Sequence, residues 1–207
     1  NLPKNDARVT FIHEQLQKLN NQLGANHDSG IAQFYDTPKK VFKQLLKDYK
    51  MEAVYTNHDY EPYAKKRDGE IKSFLEENKV EFKTFKDQVI FEKDEVVKDD
   101  GDPYVVYTPF MKKWKENFNP SIHLVEYDTL SDLGKNLYPS KNLSQLSLKD
   151  MGFEESSIKV PDFTVTSDLI QKYEDTRDYP AKEKGTSRLG PHLRFGTVSI
   201  RKMVKKA

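Results

Sequence analysis

Residues 52–85 read EAVYTNHDYEPYAKKRDGEIKSFLEENKVEFKTF, and this stretch decides the prediction of the fold. Glu52 to Thr56 is a short run typical of a β-strand, and Glu81 to Phe85 is a second one. Between them, Pro62 to Asn78 carries apolar residues at helical spacing. A strand, a helix and a strand in this order indicate a parallel crossover unit.

The flanking residues continue the alternation of helix and strand. Asp6 is predicted to cap a helix that ends at Gly24, and Ile31 to Tyr35 is predicted to be the next strand. Thr37, followed by proline, opens another helix. Val89 to Phe91 adds a short extended piece. The fold class predicted is α/β: a Rossmann-like open parallel sheet with helices on both faces.

After residue 116 the chain changes character. Prolines, many serines and asparagines, and leucines without periodic spacing indicate a long connection that wraps over a surface. From Thr166 a helical pattern resumes. We therefore predict an incomplete α/β domain over residues 1–116, an interdomain linker over residues 117–165, and the beginning of an all-α domain over residues 166–207.

Composition excludes several classes of function. The 207 residues carry a net charge of +1, are 36% apolar and 12% aromatic, and include no cysteine. These values are typical of a globular protein. The absence of cysteine excludes disulfides, thiol catalysis and cysteine-ligated zinc. A cytoplasmic protein without a membrane span is expected. The five histidines lack ligand spacing, so we expect no metal site.

The segment GTSRLGPHLRFG, residues 185–196, holds the most informative chemistry. It combines hydroxyl groups, glycines that allow close approach of a ligand, and guanidinium groups. No Asp or Glu follows Glu183. The basic residues after that point are Lys184, Arg188, Arg194, Arg201, Lys202, Lys205 and Lys206. Two interpretations stay open: a site for a phosphate-bearing cofactor or nucleic acid, or ordinary helix caps and a solvated basic face.

Three motifs resemble the DNA photolyase and cryptochrome family. They are VYTNHDYEPYAKKRD (54–68), PYVVYTPFMKKW (103–114) and YEDTRDYPAKEKGTSRLGPHLRFGTVSIR (173–201). The first two resemble signatures of the family's amino-terminal antenna domain, and the third resembles the entry to its helical flavin-binding domain. The resemblance implies a fragment that lacks the family's first strand and most of the flavin-binding domain.

The resemblance also implies which residues bind FAD. The positions that match the family's flavin diphosphate and ribityl contacts, with a neighbouring family tyrosine, are Tyr173, Thr186, Ser187, Arg188, Leu189 and Gly190. Many family members have a serine where this chain has Gly190, so only a backbone donor is available there. The resemblance assigns no catalytic residue and no metal ligand to this chain.

Arg177 matches a family arginine on the DNA-facing surface. There it would bind a phosphate of the DNA backbone and would not contribute to recognition of the base sequence. Judged from the residues alone, an ion pair with Glu174 or Asp178 is an equal alternative.

The function implied for the parent protein is light-driven repair of pyrimidine dimers in damaged DNA by electron transfer from reduced FAD. We expect a monomer, and we expect the fragment alone to hold flavin weakly and to be inactive. A folate antenna is disfavoured, because Tyr63 and Ala64 stand where folate-binding relatives have an Asn-Glu pair. A flavin-type antenna or none stays open. The alternative functions are a cryptochrome-type photoreceptor and a non-catalytic α/β nucleotide-binding module.

Overall fold

The structure is a computed structural model, and it describes residues 2–127, 131, 134–140 and 143–207. Its described strands are β1 (Ala53–Asn57) and β2 (Glu81–Phe85). The described α-helices, α1 to α9 in chain order, are Ala7–His27, Pro38–Asp48, Pro62–Glu77, Tyr107–Asn117, Pro120–His123, Ser167–Gln171, Tyr173–Thr176, Gly190–Arg194 and Ile200–Lys206. Short 3-10 turns lie at Lys93–Glu95, Gly134–Asn136 and Glu183–Gly185.

The strand–helix–strand unit forms where the sequence predicts it. β1 and β2 pair in parallel, with a register that runs from Ala53 opposite Glu81 to Asn57 opposite Phe85. The helix α3 makes the connection between them, and its proline at the first turn needs no hydrogen-bond partner for its nitrogen. The predicted α/β class with a parallel sheet is confirmed.

One face of this unit holds a small hydrophobic core. Ile71 and Leu75 of α3 are buried together with Val80, and Leu75 is 0% exposed. The partly buried side chains around them come from α2, α3, the strands and the turn between α2 and β1: Phe42, Leu46, Met51, Val54, Phe74 and Phe82. Helices α2 and α3 therefore contribute to the same core.

The opposite face of the two strands is open. Tyr55 is 64% exposed and Phe85 is 51% exposed, and their rings stack with centroids 6.0 Å apart. The ammonium group of Lys83 lies 5.6 Å from the centroid of the Tyr55 ring.

Two predicted strands are not strands in the structure. Residues 31–35 are irregular, and their hydrogen-bonding groups pair with other segments. The Ile31 N–H donates to the Asn20 side chain of α1 (3.0 Å). The Gln33 N–H donates to the Ser144 carbonyl (2.8 Å), and the Gln33 side-chain oxygen accepts from the Leu146 N–H (3.0 Å). Residues 89–91 are also irregular. Ile90 is nevertheless buried, so its apolar character reflects packing and not strand pairing.

The first helix begins as predicted and ends later than predicted. The Asp6 side chain accepts from the Arg8 N–H (2.9 Å), and this bond with the side-chain pairing to Arg8 lowers the pKa of Asp6 to about 2. The helix passes Gly24 and ends at His27, because Asp28 adopts the left-handed conformation (φ 50°) that ends a helix. Neither α1 nor any other helix in the described ranges is long and apolar enough to cross a membrane.

Contacts divide the chain into two compact units. One contains the chain up to Tyr35, Tyr127–Val198 and Lys206–Ala207, and the other contains Asp36–Glu126 and Ser199–Lys205. These units describe contacts, so the domain boundaries at residues 116 and 165 stay predictions.

In the first unit the linker runs along α1. The His13 Nε2 lies 2.9 Å from the Leu146 carbonyl oxygen, and the Ser156 N–H donates to the buried Thr10 hydroxyl (3.0 Å). Backbone groups of the linker thus hold it against side chains of a helix.

Candidate anion-binding loop

The candidate site is the loop of residues 185–190, which we call the 185–190 loop. It leaves the 3-10 turn Glu183–Gly185 and enters α8 at Gly190. Thr186 is extended (φ −133°, ψ 142°), whereas Arg188 is left-handed (φ 55°). A left-handed non-glycine residue costs about 1–3 kcal/mol and persists only where its surroundings hold it. The backbone of this loop is therefore constrained.

Hydroxyl groups hold the backbone inside the loop. Thr186 Oγ1 accepts from the Arg188 N–H (3.3 Å), and Ser187 Oγ accepts from the Leu189 N–H (3.4 Å). A hydroxyl that accepts a hydrogen bond still has its own hydrogen to donate. Thr186 is exposed and Ser187 is half-buried. The two O–H groups can therefore donate to an anion while their oxygens accept hydrogen bonds from the loop backbone.

A second contact ties the loop to the linker. The Thr164 N–H donates to the Ser187 carbonyl oxygen (2.9 Å). The C=O and N–H of one trans peptide unit point in opposite directions. This bond therefore also sets the direction of the Arg188 N–H, which reaches the Thr186 hydroxyl.

The two glycines of the loop have different surroundings. A Cβ at Gly185 would lie 3.2 Å from the Cβ atoms of Lys182 and Thr176, so packing favours glycine there. A Cβ at Gly190 would meet nothing within 4 Å. The backbone at Gly190 thus borders open space that a ligand can enter.

The loop itself carries one positive charge, at Arg188. Arg188 is exposed and makes no ion pair with any residue that the structure describes. Leu189, the residue before α8, is half-buried. An unpaired guanidinium beside two hydroxyls is chemically suited to a phosphate.

Tyr173 connects to this loop through Thr176. Tyr173 begins α7 and is 60% exposed. The hydroxyl of the buried Thr176 donates to the Lys172 carbonyl (3.0 Å) and lies 3.4 Å from the Tyr173 carbonyl oxygen, and Thr176 packs against Gly185. The structure therefore brings the backbone at Tyr173 close to the start of the loop, and the tyrosine ring remains largely solvent-exposed.

Arg177 lies at the end of α7 with an exposed side chain. Its nearest acidic partner is Asp178, at 3.9 Å, and both side chains are more than half exposed. Such a pair contributes little to stability. The guanidinium is therefore available to another anion.

His192 in α8 has a role that its sequence context did not predict. From spacing, the five histidines were only judged unsuitable as metal ligands. The structure buries His192 to 8% exposure and places Nε2 3.0 Å from the Pro161 carbonyl oxygen. A histidine between apolar residues, close after a Gly- and Ser-rich loop, was the available signal.

A second polar cluster lies beyond the carboxyl end of β1 and was also missed. The Glu92 carboxylate accepts from His58 Nδ1 and from the Tyr60 hydroxyl, each at 2.5 Å. Burial, and then the bond to Glu92, raises the pKa of Tyr60. Burial alone would raise the pKa of Glu92, but the bonds from Tyr60 and His58 outweigh it and lower that pKa.

This cluster has no metal-binding arrangement. Among the described residues, no group of three or more His, Asp or Glu side chains is placed to hold a metal ion. Near it, Tyr63 is 72% exposed and Ala64 is 3% exposed. The buried Ala64 side chain therefore contributes to the packing of α3.

A family model for DNA photolyase matches residues 2–128 of this chain. A deoxyribodipyrimidine photo-lyase of Halobacterium salinarum is 32% identical over 213 residues, and one of a Synechococcus species is 31% identical over 214 residues. Each alignment covers 97% of this chain, but 43% and 44% of the respective relatives. The chain thus spans less than half the length of these relatives.

Solved structures show the same fold. A bacterial class III photolyase from Agrobacterium tumefaciens superposes with a TM-score of 0.77 at 22% identity, over 100% of this chain and 45% of that one. An archaeal photolyase from Sulfolobus tokodaii, solved with two FAD molecules, superposes with a TM-score of 0.64 at 24% identity, over 98% and 44% of the two chains.

Proposed function

Because this chain belongs to the DNA photolyase family, we propose that it supplies the α/β domain, the linker and the first part of the flavin-binding domain of a light-driven DNA repair enzyme. When bound and reduced, FAD supplies the electron that splits a cyclobutane pyrimidine dimer. The observation that carries the proposal is the 185–190 loop, where hydroxyls, an exposed guanidinium and open space beside a glycine come together.

The donor set of the loop fits a diphosphate. Thr186 and Ser187 each keep an O–H to donate, and Arg188 adds a charge. The chain carries no carboxylate side chain after Glu183, so no acidic side chain of this segment opposes an anion. The open space at Gly190 lets a ligand approach the backbone.

Each proposed residue has a distinct role toward FAD. Thr186 and Ser187 donate to phosphate oxygens, and Arg188 neutralises the diphosphate. Gly190 offers its backbone N–H, Leu189 supports the loop by packing, and the exposed ring of Tyr173 lines the flavin cavity. The protein's task is to orient the cofactor against the dimer and to exclude water.

The proposed partner is damaged DNA in which the dimer is flipped out of the duplex. Arg177 would bind a backbone phosphate, since its guanidinium is exposed and has only a weak intrachain pair. We propose that the protein acts as a cytoplasmic monomer. A folate antenna stays disfavoured, because Ala64 is buried in the packing of α3.

The test is to purify the proposed full-length enzyme and measure bound flavin by absorbance, then light-dependent repair of an oligonucleotide with one cyclobutane dimer. Thr186→Ala with Ser187→Ala removes two donors, so we expect FAD affinity to fall about tenfold or more. Ser73→Ala is the matched control, because its hydroxyl donates to the Gly69 carbonyl within α3 and lies outside the loop.

The outcomes separate the alternatives. A folded protein that stays colourless when offered FAD would refute the proposal. Flavin binding without repair of a cyclobutane or a (6-4) dimer would favour the photoreceptor alternative. The 207-residue chain alone is expected neither to retain FAD at one equivalent nor to repair DNA.

A further inference from the structure

His192 forms a link between the helix after the 185–190 loop and the linker. Its Nε2 lies 3.0 Å from the Pro161 carbonyl oxygen. A carbonyl oxygen only accepts, so Nε2 carries the hydrogen. Nδ1 lies 2.9 Å from the Thr197 hydroxyl oxygen. Both ring nitrogens therefore have a hydrogen-bond partner.

Aromatic rings hold the imidazole in place. The Phe11 ring of α1 meets it edge-on at 5.6 Å between centroids, with an interplanar angle of 85°. The Phe163 ring of the linker meets it at 4.9 Å and 60°. With His192 only 8% exposed, the imidazole has little freedom to leave this position.

The linker segment 161–164, which we call the strap, contacts the loop region at both of its ends. Pro161 accepts from His192, and Thr164 donates to the Ser187 carbonyl (2.9 Å). The two strap residues are three positions apart, and their partners Ser187 and His192 are five positions apart. Two bonds at this spacing set the position of the strap along the loop as well as its distance from it.

This arrangement accounts for the backbone of Arg188. The bond from Thr164 holds the Ser187 carbonyl toward the strap, so the N–H of the same peptide unit points away from it. That N–H belongs to Arg188 and meets the Thr186 hydroxyl at 3.3 Å. Arg188 keeps its left-handed conformation (φ 55°) because these contacts hold the peptide unit on both sides.

We propose that His192 is a positioning residue for the candidate anion site: by anchoring the strap, it holds the Ser187–Arg188 peptide unit in the orientation that exposes the loop's donors to phosphate. The inference rests on the proposed function for its ligand, FAD. The effect of His192 on the loop backbone does not depend on FAD, because the strap and its bonds lie entirely within this chain.

The test compares three variants of the full-length enzyme. His192→Phe keeps a ring between Phe11 and Phe163 but removes the donor to Pro161. His192→Gln restores an N–H donor of similar reach. His13→Phe is the matched control, since His13 also lies 2.9 Å from a linker carbonyl, that of Leu146, but has no contact with the strap or the loop among the described residues.

Two readouts are measured. Without flavin, hydrogen exchange of the Thr164 and Arg188 amides should accelerate about tenfold in His192→Phe, and should stay near wild type in His192→Gln and His13→Phe. With flavin, titration should show FAD affinity about tenfold lower in His192→Phe alone.

Unchanged exchange and affinity in His192→Phe would overturn the inference. An impaired His192→Gln variant would also overturn it, because a donor to Pro161 would then not be what holds the strap. If the wild type binds no FAD while the Thr164 and Arg188 amides still respond selectively, the positioning role of His192 stands and the proposed function fails.

Discussion

Glu92 organises the residues that follow β1. It accepts hydrogen bonds from His58 and Tyr60, and its N–H donates to the Glu95 carboxylate, which Lys86 holds at 2.7 Å. The Glu92 side chain is 17% exposed. Removal of its charge would therefore leave partly buried donors with a weaker acceptor.

We expect Glu92→Gln to lower the free energy of unfolding by about 1–3 kcal/mol near neutral pH, because two donors lose a charged acceptor. The pKa of Glu92 is lowered in the folded protein, where bonds from Tyr60 and His58 outweigh the opposing effect of burial. Its stabilising contribution is thus complete above the unfolded pKa, about 4.3, and is lost as pH falls through the lower folded value. Urea unfolding from pH 7 down to pH 3 measures this.

The control for Glu92→Gln is Glu70→Gln. Glu70 is 63% exposed and lies 4.0 Å from Lys66, so its loss should change the free energy of unfolding by less than about 0.5 kcal/mol. A deficit of Glu92→Gln that stays equal at pH 3 and pH 7 would contradict the role assigned to its charge.

Helix α3 stabilises the sheet mainly through Leu75. This side chain is 0% exposed and lies in the core with Ile71 and Val80. We expect Leu75→Ala to lower the free energy of unfolding by about 2–5 kcal/mol, because it leaves a cavity between α3 and the strands. Val105→Ala is the control in the same compact unit: Val105 is 95% exposed, and its urea unfolding midpoint should stay near wild type.

The two glycines of the 185–190 loop should respond differently to alanine. Gly185→Ala places a Cβ 3.2 Å from the Cβ of the buried Thr176, whose hydroxyl bond to the Lys172 carbonyl limits its movement, so we expect a destabilisation of about 1–3 kcal/mol. Gly190→Ala meets nothing within 4 Å and should leave thermal stability unchanged while it weakens FAD binding. Thermal melts without flavin and flavin titrations measure both effects. A stable Gly185→Ala variant would show that Thr176 can shift.

For the molecule as a whole, the proposed task is to hold damaged DNA. Arg177→Gln should weaken binding to duplexes of any sequence by a similar factor, and it should reduce the slope of log affinity against log salt by about 1. Lys66→Gln is the control, since Lys66 is 78% exposed and is not a proposed DNA contact. Fluorescence anisotropy at several salt concentrations gives both slopes. An unchanged slope for Arg177→Gln would remove this residue from the DNA interface.

Local pattern was sufficient for the elements whose partners are near in the chain. The apolar spacing in α3 and the short runs of β1 and β2 predicted these elements to within one residue, because their shape depends on neighbours three or four residues away or on the next strand. The cap at Asp6 was predictable for the same reason. The motif around Thr186 identified the candidate loop and, through its resemblance, the family.

Tertiary contacts decided the rest. Residues 31–35 have the composition of a strand, but Gln33 in their middle bonds to Ser144 and Leu146, more than a hundred positions away. Likewise, no local pattern pairs His192 with Pro161 or Ser187 with Thr164. A residue's own type and near neighbours set its preferred backbone, whereas the partner of a buried polar group depends on which distant segment packs against it.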